Sequence, residues 1–226
     1  MRVRMLTCLA GLAMLLALAG CGGSSSGSGI ASESPQKILN DSLTAANGLK
    51  SVHAAGTVNS GGQHITLDIQ LVGGQGGRGQ ITLGGLSFSL VGLGHYAYMQ
   101  APPAVWEKAG APAAAAQKLQ GKWLRTPATG QFASIASLTD IHALFTQLLT
   151  QHGKKLKSGG ESTVSGRKVV AVNSDQGTLY VAATGKPYPV ELIKPGSNGG
   201  RIDFDRFNEP VTLSAPTNTV DLPSVG

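Results

Sequence analysis

The side chains that could do chemistry in this chain are scattered rather than clustered. Its five histidines are not grouped at the spacings that metal sites use, and no cysteine follows Cys21. The histidines are His53, His64, His95, His142 and His152. No serine stands in a G-x-S-x-G elbow, so a hydrolase of that design has no visible nucleophile. We expect no enzyme activity, no metal ion and no cofactor.

Two short motifs come nearer to a functional pattern. Asp203 and Asp205 lie two positions apart in an alternating stretch, so they would share one strand face, which suits paired acids, calcium or simply a solvated surface. Residues Gly74 to Gly79 match the glycine spacing of the G-x-G-x-x-G motif. A dinucleotide site needs that turn between a strand and a helix, whereas strand-like stretches flank it here on both sides. We interpret the glycines as a hairpin turn and the aspartates as a solvated strand face.

Cys21 has the most informative sequence context of any reactive residue. Two arginines near the start of the chain and an apolar run from Met5 to Ala19 precede it, which is the pattern of a secretory signal peptide. The run of roughly 15 residues is shorter than the ~20 that a spanning helix needs. Leu18-Ala19-Gly20-Cys21 resembles the bacterial lipobox, in which the cysteine thiol receives a diacylglyceryl group. The alternative is an ordinary signal peptide that ends in cysteine.

The first 34 residues therefore divide the chain into parts with different roles. We predict a lipoprotein signal peptide at 1–20, the lipidated Cys21 with a flexible Gly/Ser tether at 21–34, and one folded domain at 35–226. Two or more acyl chains anchor a protein stably, whereas one holds it only marginally. The expected location is the extracytoplasmic face of a bacterial cell membrane, with the domain held there as a monomer.

The charge of the chain excludes one class of partner. Its formal net charge is +6, but charged residues make up only 13% of the sequence, and the basic ones are dispersed except for Lys154, Lys155 and Lys157. Nucleic-acid binding would need a dense basic stripe with stacking aromatics. The small lysine cluster is either a solvated loop or a contact with anionic lipid headgroups. We expect no nucleic-acid partner.

Two stretches of the domain have the periodicity of an amphipathic helix. Ser34-Pro35 opens the first, which is expected to run to about Asn47 and to end at Gly48. Ser137 opens the second, which is expected to end at Gly153. The apolar stripe of this second helix consists of Leu138, Ile141, Leu144, Phe145, Leu148 and Leu149.

Most of the remaining domain alternates with a period of two. In His64 to Leu71 every odd position is aliphatic and every even position is polar, which indicates a half-buried antiparallel strand. Similar stretches occupy 52–59, 79–83, 86–91, 95–100, 122–125, 161–164, 167–173, 178–183, 190–194 and 201–207. The pattern predicts an α+β fold, in which about 10–11 strands form a single large curved antiparallel sheet with helices on its apolar face.

The end of the chain is similar to a known family. Gly185 to Ile193 (GKPYPVELI) and Ile202 to Pro216 (IDFDRFNEPVTLSAP) resemble the closing pattern of the LppX/LprAFG lipoproteins of actinobacteria, whose fold is related to that of the lipoprotein carrier LolA. Tyr98-Met99 and Lys122-Trp123-Leu124 resemble the central strand pair of that family. The resemblance implies a half-barrel with helices on its concave face, a cavity for an acylated lipid or glycolipid, and no catalytic residues.

These observations lead to a hypothesis of a membrane-anchored lipoprotein that binds a lipid or glycolipid acyl chain and carries or presents it. The alternative is a non-catalytic envelope scaffold with a filled core, and a membrane transporter is a possible partner. The residues expected to line the cavity are Ile65, Leu67, Ile69, Leu83, Phe88 and Leu90 on the sheet. Those expected on the helical side are Ile141, Leu144, Phe145 and Leu148.

Overall fold

The computed structural model describes residues 29–222, without the side chains at positions 60, 131 and 135. The predicted signal peptide, Cys21 and most of the predicted tether lie outside the described residues. The main core extends from Ile30 to Phe204. A chain that begins at Gly29 keeps every helix and strand that the structure describes, and we expect it to fold on its own.

The described residues form five α-helices and twelve β-strands. The helices are α1 (Pro35–Asn47), α2 (Pro103–Lys108), α3 (Ala113–Lys118), α4 (Ala133–Thr139) and α5 (Ile141–Thr150). The strands before α5 are β1 (Ser51–Ser60), β2 (Gln63–Val72), β3 (Gly76–Leu83), β4 (Leu86–Leu93), β5 (Tyr96–Gln100) and β6 (Trp123–Pro127). The strands after it are β7 (Lys157–Val164), β8 (Arg167–Asn173), β9 (Thr178–Ala182), β10 (Pro189–Lys194), β11 (Gly200–Asp205) and β12 (Thr219–Asp221).

All twelve strands belong to one open sheet, in the order β12-β6-β5-β4-β3-β2-β1-β11-β10-β9-β8-β7. The predicted α+β fold with a single large sheet is confirmed. Every pairing is antiparallel except that of β12, which runs parallel to β6, so the sheet is mixed and has one strand more than expected. Gly74 lies between β2 and β3, and its φ of 69° is that of a turn glycine, as the hairpin interpretation predicted.

The first helix has the predicted ends. The Ser34 hydroxyl accepts a hydrogen bond from the Lys37 amide at 3.3 Å, Pro35 occupies the first helical position, and Gly48 is the C-cap. Ile38 and Leu39 are buried, so the apolar face of α1 points toward the sheet.

The second predicted helix is instead two helices, because Asp140 interrupts it. Asp140 has an extended backbone (φ −109°, ψ 124°), and its carboxylate accepts a hydrogen bond from the Ala143 amide at 2.7 Å. The residue therefore ends α4 and caps α5. The proline- and alanine-rich stretch before β6 also forms two short helices, α2 and α3, which follow Pro102 and Pro112.

Strand register defines two faces of the sheet, which we call inner and outer. On the inner face one row of paired residues crosses seven strands from β11 to β6, namely Phe204, Ala54, Ile69, Gly79, Leu90, Met99 and Leu124. Helices α1 and α5 pack on this face, where the Phe145 ring lies 4.9 Å from the Phe204 ring. Trp106 of α2 and Ala116 of α3 cover the edge near Leu124. The main core therefore lies on the inner face, and a small buried cluster of Val169, Ala182 and Val190 lies on the outer face of β8 to β10.

Two glycines bring the end of α4 close to the inner face. Gly77 and Gly92 are paired across β3 and β4, and Thr139 lies above both of them. An added Cβ at Gly92 would collide with the Thr139 hydroxyl and would lie 2.7 Å from its Cβ. Thr139 is only 2% exposed and has little room to move.

We therefore expect Gly92→Ala to lower the free energy of unfolding by about 1–3 kcal/mol, the usual cost of overpacking a core. Denaturant unfolding of the chain from Gly29 onward measures this. Gly48→Ala is the matched control, since its new Cβ would lie 3.5 Å from the nearest atom, the Ala45 carbonyl oxygen. Adding Thr139→Ala should recover part of the Gly92→Ala loss, and strictly additive effects of the two changes would contradict the collision.

Candidate functional site

A cavity of about 170 Å³ lies on the inner face, between the end of α5 and strands β8, β9 and β10. Leu39 of α1 closes one side, and the loop after α5 closes another through Leu156. The strands present Val172, Leu179 and Leu192, which are paired across the sheet in register. The wall of the cavity is therefore aliphatic.

The rim of the cavity is polar. It carries Gln147, Gln151, His152, Ser174, Gln176 and Lys194. The Nδ1 atom of His152 is buried and has no hydrogen-bond partner among the described residues. An aliphatic wall with a polar rim suits an amphiphile whose apolar part enters and whose polar part stays at the opening.

The size of the cavity limits what it holds. An engineered apolar cavity of about 150 Å³ takes up one benzene molecule, so about 170 Å³ accommodates a short segment of an acyl chain. A longer chain has to continue along the sheet. Apolar side chains of β1 to β4 form a half-buried patch on the inner face, which we call the inner strip: Val58, Ile65, Leu67, Leu83, Leu86 and Phe88.

The ten predicted lining residues all lie on the helix-covered side of the sheet, but they do not lie together. Leu148 is the member of the set that lines the cavity. Ile65, Leu67, Leu83 and Phe88 belong to the inner strip. Ile69, Leu90, Ile141, Leu144 and Phe145 are buried in the main core. Their role in ligand binding stays a prediction.

Most residues that line the cavity were not predicted. Val172, Leu179 and Leu192 carry the alternation that marks a strand, so the sequence indicates that they face inward. It does not show where the helices leave a gap above them, because that depends on how far α5 extends over the sheet.

Three aspartates of the outer face, Asp68, Asp203 and Asp205, each lie beside a basic side chain. Arg201 donates to Asp203 at 2.8 Å, and the ring of His53 lies between Asp205 and Asp68 at 2.7 and 3.0 Å. The two aspartates that suggested paired acid chemistry thus have separate partners. No group of three His, Cys, Asp or Glu in the range 29–222 is placed to hold a metal ion.

Comparison with known proteins identifies the architecture. No family model and no curated protein sequence matches the chain. Among solved structures, LprF from Mycobacterium bovis superposes with a TM-score of 0.54 and 16% identity, over 80% of this chain and 96% of LprF. The lipoprotein LppX from Mycobacterium tuberculosis superposes with a TM-score of 0.52 and 17% identity, over 80% of this chain and all of LppX.

The chain has the LppX/LprF fold. The resemblance that the closing segment of the sequence suggested is confirmed at the level of the fold. Both superposed proteins match over nearly their whole length, so the LppX/LprF fold accounts for most of the domain described here. Among the helices within residues 29–222, none is long and apolar enough to cross a bilayer.

Glu191 is a buried acid of the LppX/LprF-like sheet, and its surroundings raise its pKa. The side chain of Glu191 on the outer face is 4% exposed and contacts Arg201 at 2.5 Å. Burial raises the pKa of Glu191 above its ordinary 4.5, the Asp203 carboxyl beside it raises this pKa further, and Arg201 opposes both. A raised folded-state pKa stabilises the protein below pH 4.5, and this contribution is lost as the pH rises through the folded-state value.

We therefore expect Glu191→Gln to remove part of the decline in stability above pH 4.5, because glutamine does not titrate. Thermal unfolding of wild type and variant between about pH 4.5 and 8 measures the difference. Glu161→Gln, at an exposed position in β7, is the control. Parallel pH profiles for wild type and Glu191→Gln would show that burial of Glu191 does not affect its titration.

Proposed function

We propose that this protein is an envelope lipoprotein that binds a lipid or glycolipid acyl chain on the inner face of its sheet and carries or presents it. The observation that carries the proposal is the cavity between α5 and strands β8 to β10, with its aliphatic wall and polar rim. Desolvation of an acyl chain contributes about 25 cal/mol per Å² of apolar surface removed from water.

The inner strip extends the proposed binding surface. Leu67 and Phe88 lie in one cross-strand row through Ile81, and both are half-buried, so apolar surface remains accessible beyond the helices. A chain that starts in the cavity and continues over the sheet would cover this surface. The same strip would stay partly exposed in a scaffold with no ligand, which is the second candidate function.

The proposed lipid anchor fits this role. Cys21, as the lipidated residue, and the Gly/Ser tether up to Ser34 would hold the domain beside the bilayer while letting it turn. The similarity in fold to the mycobacterial lipoprotein LppX supports the proposal. A membrane transporter that supplies or receives the lipid is a further element of it.

Native mass spectrometry tests lipid binding directly. The chain from Gly29 onward is purified without detergent, and its mass is measured before and after incubation with phospholipid vesicles and, separately, with vesicles that contain a glycolipid. We expect a one-to-one complex with an acylated lipid, and the lipid should reappear in an organic extract. An unliganded mass under every condition would overturn the carrier function and favour the scaffold.

A cavity-filling variant locates the bound chain. Leu148→Trp places a large ring in the cavity that Leu148 lines, so we expect lipid uptake to fall by about tenfold or more, the effect of losing roughly 1.4 kcal/mol of binding free energy. Leu43→Trp is the control, since Leu43 is half-buried on α1 and does not line the cavity. Equal lipid uptake by Leu148→Trp and wild type would exclude this cavity.

Removal of the proposed acylation site tests the anchor separately. In a bacterial host, the full chain should be found in the membrane fraction, and Cys21→Ser should leave that fraction because it lacks the thiol that accepts the diacylglyceryl group. Mass spectrometry of the mature N-terminal peptide measures the lipid mass. A wild-type peptide without lipid would contradict the anchor and leave the lipid-binding test unaffected.

A further inference from the structure

We propose that the outer face of the sheet binds a saccharide chain in the cleft beneath the C-terminal segment Glu209–Pro216, which we call the strap. This site lies on the opposite face from the cavity proposed for an acyl chain. It does not depend on lipid binding.

Two asparagines attach the strap to the sheet. At its start the Asn208 amide donates to the Ser51 carbonyl at 2.9 Å, and the Lys50 amide donates to the Asn208 side chain at 2.8 Å. At its end the Asn218 carbonyl accepts from the Trp123 amide at 3.0 Å. Asn208 and Asn218 both have a positive φ, 62° and 59°, so the backbone turns sharply at each attachment.

The strap crosses the strands rather than joining them. It leaves the sheet beside β1 and returns as β12 beside β6, so it passes over the outer face of the four strands between them. On the outer face a row of residues in register extends across the sheet from β11 to β12, namely Asp205, His53, Gln70, Arg78, Val91, Tyr98, Arg125 and Asp221. His53, Gln70, Arg78 and Val91 of this row line the space under the strap. The row begins and ends with charged groups and has polar side chains at three of its four central positions.

The space between the strap and the strands forms a cleft of about 880 Å³, which is within the usual size range of ligand sites. A second cleft of about 350 Å³ shares Ser89 with the first and continues past Gln80, Gln100 and Gln120. The two clefts meet at Ser89 and together extend across several strands. This shape fits an extended ligand better than a compact one.

The charges around the cleft balance one another. Arg78 and Arg206 contribute two positive groups, and Asp68 and Glu209 contribute two negative ones. Such a site has no preference for a polyanion or a polycation. It offers acceptors and donors side by side, which is what a ligand rich in hydroxyl or acetamido groups needs, because each of those groups can both donate and accept.

Two further observations point to a ligand. Gln70 lines the cleft, and its side-chain amide nitrogen is buried and has no hydrogen-bond partner among the described residues. A buried polar group without a partner costs about 1–3 kcal/mol, so turning this amide toward a ligand acceptor in the cleft would relieve the cost. The half-buried indole of Trp123 lines the same cleft, where it provides a flat apolar surface for a sugar ring.

Trp123 also provides the readout for the test. The chain has two tryptophans, and the other, Trp106, is buried on the inner side, where its ring nitrogen donates to the Ala101 carbonyl at 3.2 Å. In Trp106→Phe all tryptophan fluorescence comes from the cleft, and in Trp123→Phe it comes from the opposite face. Both variants, made in the chain from Gly29 onward, are titrated with chitotetraose, cellotetraose and maltotetraose.

We expect at least one tetrasaccharide to change the emission of Trp106→Phe in a saturable way and to leave that of Trp123→Phe unchanged. Arg78→Gln, made in the Trp106→Phe chain, should weaken binding by about tenfold through loss of a charged hydrogen-bond donor. Lys168→Gln, which changes an exposed cation on the distant strand β8, is the matched control and should not alter binding.

The proposal is overturned if none of the three saccharides produces a saturable change at about 10 mM, tenfold above a weak Kd of about 1 mM. It is also overturned if Arg78→Gln and Lys168→Gln bind equally well, because the saccharide would then lie outside the cleft. Thermal unfolding of each variant ensures that a loss of binding is not a loss of fold. Wild-type lipid uptake by Arg78→Gln would show that the two faces act separately.

Discussion

Burial of one face of the sheet is the interaction on which the rest of this structure depends. The inner face carries the aliphatic side chains of the strands, and α1 and α5 remove them from water. Each large aliphatic side chain that is fully buried contributes about 1.5–3 kcal/mol, and the domain has no disulfide to add to this, because no cysteine follows Cys21. The helices do not extend over the whole face, however. The uncovered remainder forms the inner strip, and the gap beneath the end of α5 forms the cavity. A core that is covered from one side by few helices leaves apolar surface available to a ligand.

The same alternation leaves most of the outer face from β1 to β6 polar, and there the chain covers the strands with its own C-terminal segment instead of a helix. Val91 and Tyr98 project from the outer face, yet each is only 6% exposed. The strap lies over Val91 and its polar neighbours and leaves a cleft above them. The two faces thus differ in chemistry for one reason, which is the period of two along the strands. An aliphatic cavity and a polar cleft follow from one pattern of side chains.

Much of this architecture could be predicted from sequence, and the parts that could not have identifiable physical causes. Alternation in β2 is sufficient to assign its inner side chains, and Ser34, Pro35 and Gly48 are sufficient to bound α1, because these signals are local. The break at Asp140 is hidden, since the apolar stripe continues on both sides of it. Strand β12 has three exposed residues and is held beside β6 by an ion pair between Arg125 and Asp221, 96 positions apart. The position of the cavity could not be predicted, because it depends on both helix length and side-chain volume, and no short sequence motif encodes these together.

The open sheet also has a consequence for how neighbouring molecules meet. An unclosed sheet presents two edges, and an exposed edge can pair with another chain. Here β12 limits one edge to three residues. At the other edge, β7 is exposed along nearly its whole length, begins with Lys157, and has an irregular register between Ser158 and Glu161. A short strand, a charged side chain and a bulge all hinder edge-to-edge pairing. These features would keep two domains from joining edge to edge wherever their local concentration is high.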